Sequence, residues 1–268
     1  MLACPSFLLR VAQLYGLGLA TLLSRLGARP AGEARLPHWY AIDGSTVSLD
    51  ALSAAVRFSR VDLAAMAPPG CRPRWPVELG ACKRCLAEAG QPVTWHRNWM
   101  SPLAAVCNIH GTWLTPVATR TLAGIRHAGD FGGVVQQLAV APQRDDEPAC
   151  VSDALWLQDR CTARTAAHAP WGRIRPQDLI RIVDAVAREV IAASDSAADP
   201  LNLPADRRQE SNRCFAFEMG NSERVGVSLP TQLQHRQWLM ARVGHVLRRP
   251  SDERACFSSW SRASIKRL

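Results

Sequence analysis

Two pairs of metal-ligand residues stand out in the chain: Cys82-Lys83-Arg84-Cys85 and, after 21 intervening residues, Cys107-Asn108-Ile109-His110. Two residues between the members of each pair let both side chains reach one ion from a tight turn, and two such turns complete a tetrahedron. Three thiolates and an imidazole are donors that suit Zn²⁺. Four protein ligands leave no open position for a substrate, so the spacing predicts one structural Zn²⁺ rather than a catalytic one. Cys71 precedes Cys82 by 11 residues but has no ligand partner at the same short spacing, and it falls outside the set. Trp95 and Trp99 lie between the pairs and Trp113 just after them, where large rings suit the core of a small metal module better than base stacking.

Other chemistries find no support. His96, His127, His168, His235 and His245 have no nucleophile motif beside them, and the chain lacks GxSxG, HExxH, a phosphate loop and GxGxxG. The zinc deaminase signature also fails, because it needs an HxE element and His38 is followed by Trp39 and Tyr40. The sequence therefore predicts a protein that binds rather than catalyses, with no small-molecule substrate.

The elements that must position the four ligands are mostly helices. From Ser6 to Leu26, the residues Leu8, Val11, Ala12, Tyr15, Leu19, Leu22, Leu23 and Leu26 recur at three- and four-residue steps, which predicts one amphipathic helix capped by Ser6 and stopped before Gly27 and Pro30. The same apolar run imitates a signal peptide, but the docked helix explains its stripe better. Leu49 to Met66 reads as two short helices meeting near Arg57 to Ser59, a helix-turn-helix-like pair. Residues 118–155 show little periodicity, and Gly129, Gly132, Gly133 and the charged run Arg144 to Glu147 read as loop. Beyond them, Arg175-Pro176-Gln177-Asp178 opens a helix with Leu179, Ile182, Val183, Val186 and Val190 on one face. A last helix spans about Pro230 to Leu247, with Leu233, Leu239, Val243 and Val246 inward and Arg236, Arg242, Arg248 and Arg249 on its other face.

The fold class expected is mainly α: a helical N-terminal region, a small zinc-ribbon or zinc-finger module at 71–117 and a C-terminal helical region. The division expected is a first domain over 1–147 and a second over 148–268, with a polar linker near 197–212. A formal charge of +9 and a pI near 9.5 favour polyanionic partners such as DNA. Only Lys83 and Lys266 are lysines, so that charge is almost all arginine. Arg57, Arg60, Arg236, Arg242, Arg248 and Arg249 are the candidate nucleic-acid contacts. Outside the N-terminal segment, no stretch approaches the length of a membrane span, and reduced thiolates fit the cytosol, so a soluble intracellular protein is expected.

The segment Ala81-Cys-Lys-Arg-Cys-Leu-Ala-Glu, then Trp99, then Val106-Cys-Asn-Ile-His-Gly-Thr-Trp-Leu resembles the TniQ/TnsD family of transposition target-selection proteins, which show CxxC followed by Leu, a Trp, and CxxHxxxL. The opening Cys4-Pro-Ser-Phe-Leu-Leu-Arg is similar to the family's first helix, although Cys4 and Phe7 stand where an acidic residue and a Trp are usual. The resemblance covers residues 4–117 and, more loosely, Arg236 to Trp260. It implies that Cys82, Cys85, Cys107 and His110 bind zinc and that the chain supplies no catalytic residue, since a separate transposase performs the recombination. It also implies a DNA-binding or adaptor protein of a mobile element, with an AAA+ ATPase regulator, a transposase or an RNA-guided complex as partners. A standalone transcriptional regulator and a protein-interaction module without DNA binding both stay open.

Overall fold

The computed structural model describes residues 4–27, 48–66, 71–72, 78–89, 95–101, 103–118, 121, 125, 130–141, 148–162, 167–169, 172–194, 213–219, 223–229 and 232–249. Among them nine α-helices dominate four small sheets, so the fold is mainly α. They form two compact units, one of residues 1–69 with 78–144 and one of residues 70–77 with 145–268.

The first unit opens on α1 (Cys4–Leu14) and α2 (Leu19–Arg25). The expected continuous helix is broken: Gly16 sits at φ 62°, a left-handed position that favours glycine, and the two axes meet at 92°. The apolar stripe survives the break, because Leu8, Val11, Ala12, Leu19, Leu22, Leu23 and Leu26 are all buried while Tyr15, at the corner, is exposed. Ser6 is not the cap either. It lies inside α1, buried, and its Oγ accepts a hydrogen bond from the Trp95 backbone N at 2.9 Å. Gly27, at φ 68°, ends α2 with its N–H donating to the Ser24 carbonyl. No single helix among the described residues is long and apolar enough to cross a membrane.

The paired helices are present as α3 (Leu49–Val56) and α4 (Arg60–Met66). Ser48 caps α3 by accepting from Ala51 N, Ser59 caps α4 by accepting from Asp62 N, and Arg57 turns the chain between them in the left-handed region. Next come β2 (Leu79–Ala81), following β1 (Cys71–Arg72) of the other unit, then α5 (Lys83–Glu88), a 3₁₀ turn (Arg97–Met100), β3 (Val106–Cys107), β4 (Thr112–Trp113) and β5 (Thr115–Val117). The unit closes with α6 (Phe131–Val140), in a stretch expected to be loop. Gly132 and Gly133 weaken its propensity, but Phe131, Val134 and Leu138 lie on one buried face, and packing overrides the cost.

The second unit is built on α7 (Pro148–Thr162), α8 (Pro176–Ser194) and α9 (Leu233–Arg248), which pack on one another. A two-stranded hairpin, β6 (Ala167–Ala169) with β7 (Gly172–Ile174), joins α7 to α8. A larger antiparallel hairpin, β8 (Arg213–Met219) with β9 (Glu223–Leu229), lies against α8 and takes β1 as a third strand, Cys71 opposite Phe217. The expected linker at 197–212 and the charged run 144–147 fall outside the described residues.

Helix α8 matches its sequence pattern, with Leu179, Val183, Val186 and Val190 buried. Helix α9 does not show the expected two faces. Leu233, Leu239 and Val243 point inward as anticipated, but His235, Arg236, Gln237, Trp238 and Met240 are buried as well, because neighbours cover the helix on several sides. Helix α7 was illegible because Asp153 and Gln158 stand on its buried face beside Ala154, Leu157 and Cys161. Asp153 answers its burial with ion pairs to Arg248 at 3.0 Å and Arg249 at 3.6 Å, and His245 Nδ1 lies 3.0 Å from its carboxylate.

Gly244 sets the approach of α9 to α7. A Cβ there would come within 2.2 Å of the Asp153 carbonyl oxygen, and backbone cannot swing aside as a flexible side chain does. Gly244→Ala is therefore expected to lower stability by about 1–3 kcal/mol as the helices are forced apart. Urea unfolding of the variant beside the parent chain checks this, and Gly132→Ala, with open space at its Cβ, serves as the control.

Candidate metal centre

Strand β2 delivers Cys82 to the N-terminus of α5, whose first turn carries Cys85; the Leu86 N–H donates to the Cys82 carbonyl and closes this first knuckle. The second knuckle is the turn between β3 and β4. Cys107 ends β3, His110 precedes β4, and Gly111 at φ 59° returns the chain with its N–H donating to the Cys107 carbonyl at 2.8 Å. Pairing of β2 with β5, Ala81 opposite Thr115, brings the two knuckles face to face.

The four expected ligands converge, with their donor atoms all within 4.8 Å of one another. The His110 Nδ1 lies 3.1 Å from Cys85 Sγ, 3.5 Å from Cys82 Sγ and 3.8 Å from Cys107 Sγ, and the Cys85 and Cys107 sulfurs are 3.5 Å apart. Tetrahedral zinc, with bonds of about 2.3 Å to sulfur and about 2.0–2.1 Å to nitrogen, needs donors roughly 3.5–3.8 Å apart. The set can hold one metal ion, with three of these four separations near that range and the His110–Cys85 one shorter. It is the only such group of Cys, His and carboxylates among the described residues.

Charge within the cluster is shared unequally. A hydrogen bond from Cys107 lowers the Cys82 thiol to about 4, against the opposing effect of burial. Burial pushes Cys85 up to about 11, and the same bond with Cys82, together with burial, raises Cys107 further. A thiol must lose its proton to ligate a cation, so a metal here is held less tightly as pH falls. Thr112 Oγ1 stands 3.7 Å from Cys82 Sγ, where its hydroxyl can donate to the thiolate. Lys83, inside the first knuckle, donates from Nζ to the Ala141 carbonyl at the end of α6.

The tryptophans form core rather than surface. Trp95 and Trp99 are wholly buried, their rings meet edge to face at 5.4 Å, and Trp95 also packs on Phe131 of α6 at 6.3 Å. His96 stacks beside Trp99, and burial lowers its pKa. Cys71 belongs to the other unit, where its backbone pairs with β8.

The candidate nucleic-acid contacts are scattered. Arg57 and Arg60 are exposed on the α3–α4 pair, and Arg60 pairs with Asp50 at 3.2 Å. In the second unit, Arg242, Arg248 and Arg249 are partly exposed, the last two while paired with the buried Asp153. Arg236 must be removed from the set: it is 1% exposed, packed inside the unit, and in this conformation cannot reach a phosphate. Sequence reasoning missed Glu88, whose carboxylate takes the outer nitrogen of His110; its place one turn after Cys85 was the available signal.

Fold and site together define a mainly helical protein with four Cys and His side chains close enough together to hold one metal ion. Residues 3–114 match the TniQ family. No curated protein and no solved structure matches the chain.

Proposed function

We propose that the chain is a zinc-braced adaptor for transposition target-site selection, one that binds DNA and recruits an AAA+ ATPase regulator and a transposase, or joins an RNA-guided complex. The observation that carries this reading is the TniQ match over 3–114, which spans all four metal donors. Zinc is the metal of choice because three thiolates with one imidazole, in a closed tetrahedral set, form a structural zinc site. The ion's chemistry there is to cross-link two knuckles; it opens no position to a substrate. A recruiting role also suits the surface of the first unit, where Leu14 is 82% and Val61 77% exposed and the rings of Tyr15 and Phe58 are open to solvent.

DNA contact rests on net charge, on the exposed Arg57 and Arg60 and on the half-buried Arg242. The full chain is expected to bind duplex DNA with an affinity that falls steeply as salt rises, the log-log slope counting the phosphates contacted. Fluorescence anisotropy from low to physiological salt measures this. Affinity that is absent even at low salt would remove DNA from the proposal and leave the protein-interaction module.

A further inference from the structure

We infer that Glu88 is the positioning residue of the metal centre, holding His110 in the tautomer and orientation that ligation requires. The inference rests on the zinc reading above and assigns a fifth side chain to it.

Three observations place Glu88 in this role. The His110 ring presents Nδ1 to the three sulfurs, at 3.1–3.8 Å, and turns Nε2 away from them. A nitrogen that ligates a cation must offer a lone pair, so the ring proton has to sit on Nε2. Glu88 supplies the acceptor for that proton, with Oε1 at 3.1 Å and Oε2 at 3.0 Å. Both oxygens lie within reach of one N–H, which restrains the rotation of the imidazole as well as its tautomer.

Local sequence explains how the contact arises. Glu88 follows Cys85 by three residues on α5, so ligand and carboxylate project from one face of the same helical turn. The histidine they both touch comes from the other knuckle. Helix α5 therefore grips the second knuckle twice, once through sulfur and the ion and once through the carboxylate. The histidine side chain is 11% exposed and the glutamate 63%, so the contact closes the site toward solvent without burying the carboxylate.

Because Glu88 is largely exposed, its replacement is expected to spare the fold, and zinc affinity is the direct readout. In chelator competition with the full chain, Glu88→Ala should weaken zinc binding about tenfold, the lower end of the effect of such outer carboxylates, and Glu88→Gln should lose less because its amide oxygen still accepts. The discriminating arm repeats Glu88→Ala in a His110→Cys background, where no imidazole needs orienting; there the replacement should change affinity less than about twofold. Equal affinity of Glu88→Ala and the parent overturns the inference, as does an equal loss in both backgrounds, which would mark a general effect of charge or helix stability. A parent chain that binds no zinc overturns the metal reading itself, an outcome visible before any variant is made.

Discussion

Replacing Cys107 with Ala is expected to abolish metal binding and to unfold the middle of the first unit. Cys107 is wholly buried, its sulfur lies 3.5 Å from that of Cys85, and its carbonyl anchors the turn that carries His110. The module around it has very short strands, of two or three residues each, too little sheet to stand alone. Structural zinc in such modules contributes on the order of 10–16 kcal/mol of binding free energy that doubles as folding free energy. Whole domains are stable by only about 5–15 kcal/mol, so losing the ion exceeds what residues 78–117 can absorb. Metal analysis together with limited proteolysis checks the result: little or no metal in the variant, and early cleavage near the knuckles. Cys161→Ala gives the contrast. That thiol is also buried, and burial alone raises it to about 12, but it touches no other ligand, so metal content should not change.

The second large effect is expected at Trp95. Its indole is fully enclosed between Trp99 and Phe131, and its backbone N–H is held by Ser6 from α1. One residue thus joins the first helix, the 3₁₀ turn and α6. Trp95→Ala should cost about 3–5 kcal/mol, the range for emptying a buried aromatic site, and Trp95→Phe clearly less because a ring still fills part of the space. Chemical unfolding measures both. The alternative use of the ring, stacking on a base, would give the opposite pattern: unchanged stability with weakened binding to single strands.

The metal centre was legible because ligand spacing is a local property. Two residues between paired ligands fix each knuckle whatever the rest of the chain does, and Cys82, Cys85, Cys107 and His110 meet as their spacing implied. Helix α8, with one covered face, was equally plain, whereas α3 and α4 bury only Leu52 and Leu63 of their described apolar residues and leave Val61 77% exposed. The failures have physical causes. Gly16 introduced a corner that a stripe of apolar residues does not register, since the stripe continues on both sides of the break. Helices α7 and α9 bury polar groups such as Asp153, Gln158 and Arg236, which erase the two-faced pattern that periodicity relies on.

Strands were harder still. The alternation in Arg213–Met219 and Glu223–Leu229 was available as a hairpin signal and was overlooked in a region expected to be helical. The pairing of Cys71 and Arg72 with that hairpin joins residues more than 140 positions apart, and nothing local announces it. Glu88 shows the same limit at the site. A glutamate one turn after a ligand is common on any helix; only its 3.0 Å approach to His110 gives it a role.

The most direct measurement is the mass of the purified full chain under native conditions, with and without a chelator. One zinc ion per chain is expected, lost only on strong chelation and accompanied by loss of the folded charge-state distribution. A chain that keeps a compact, stable fold with no metal bound would contradict the brace at Cys82, Cys85, Cys107 and His110.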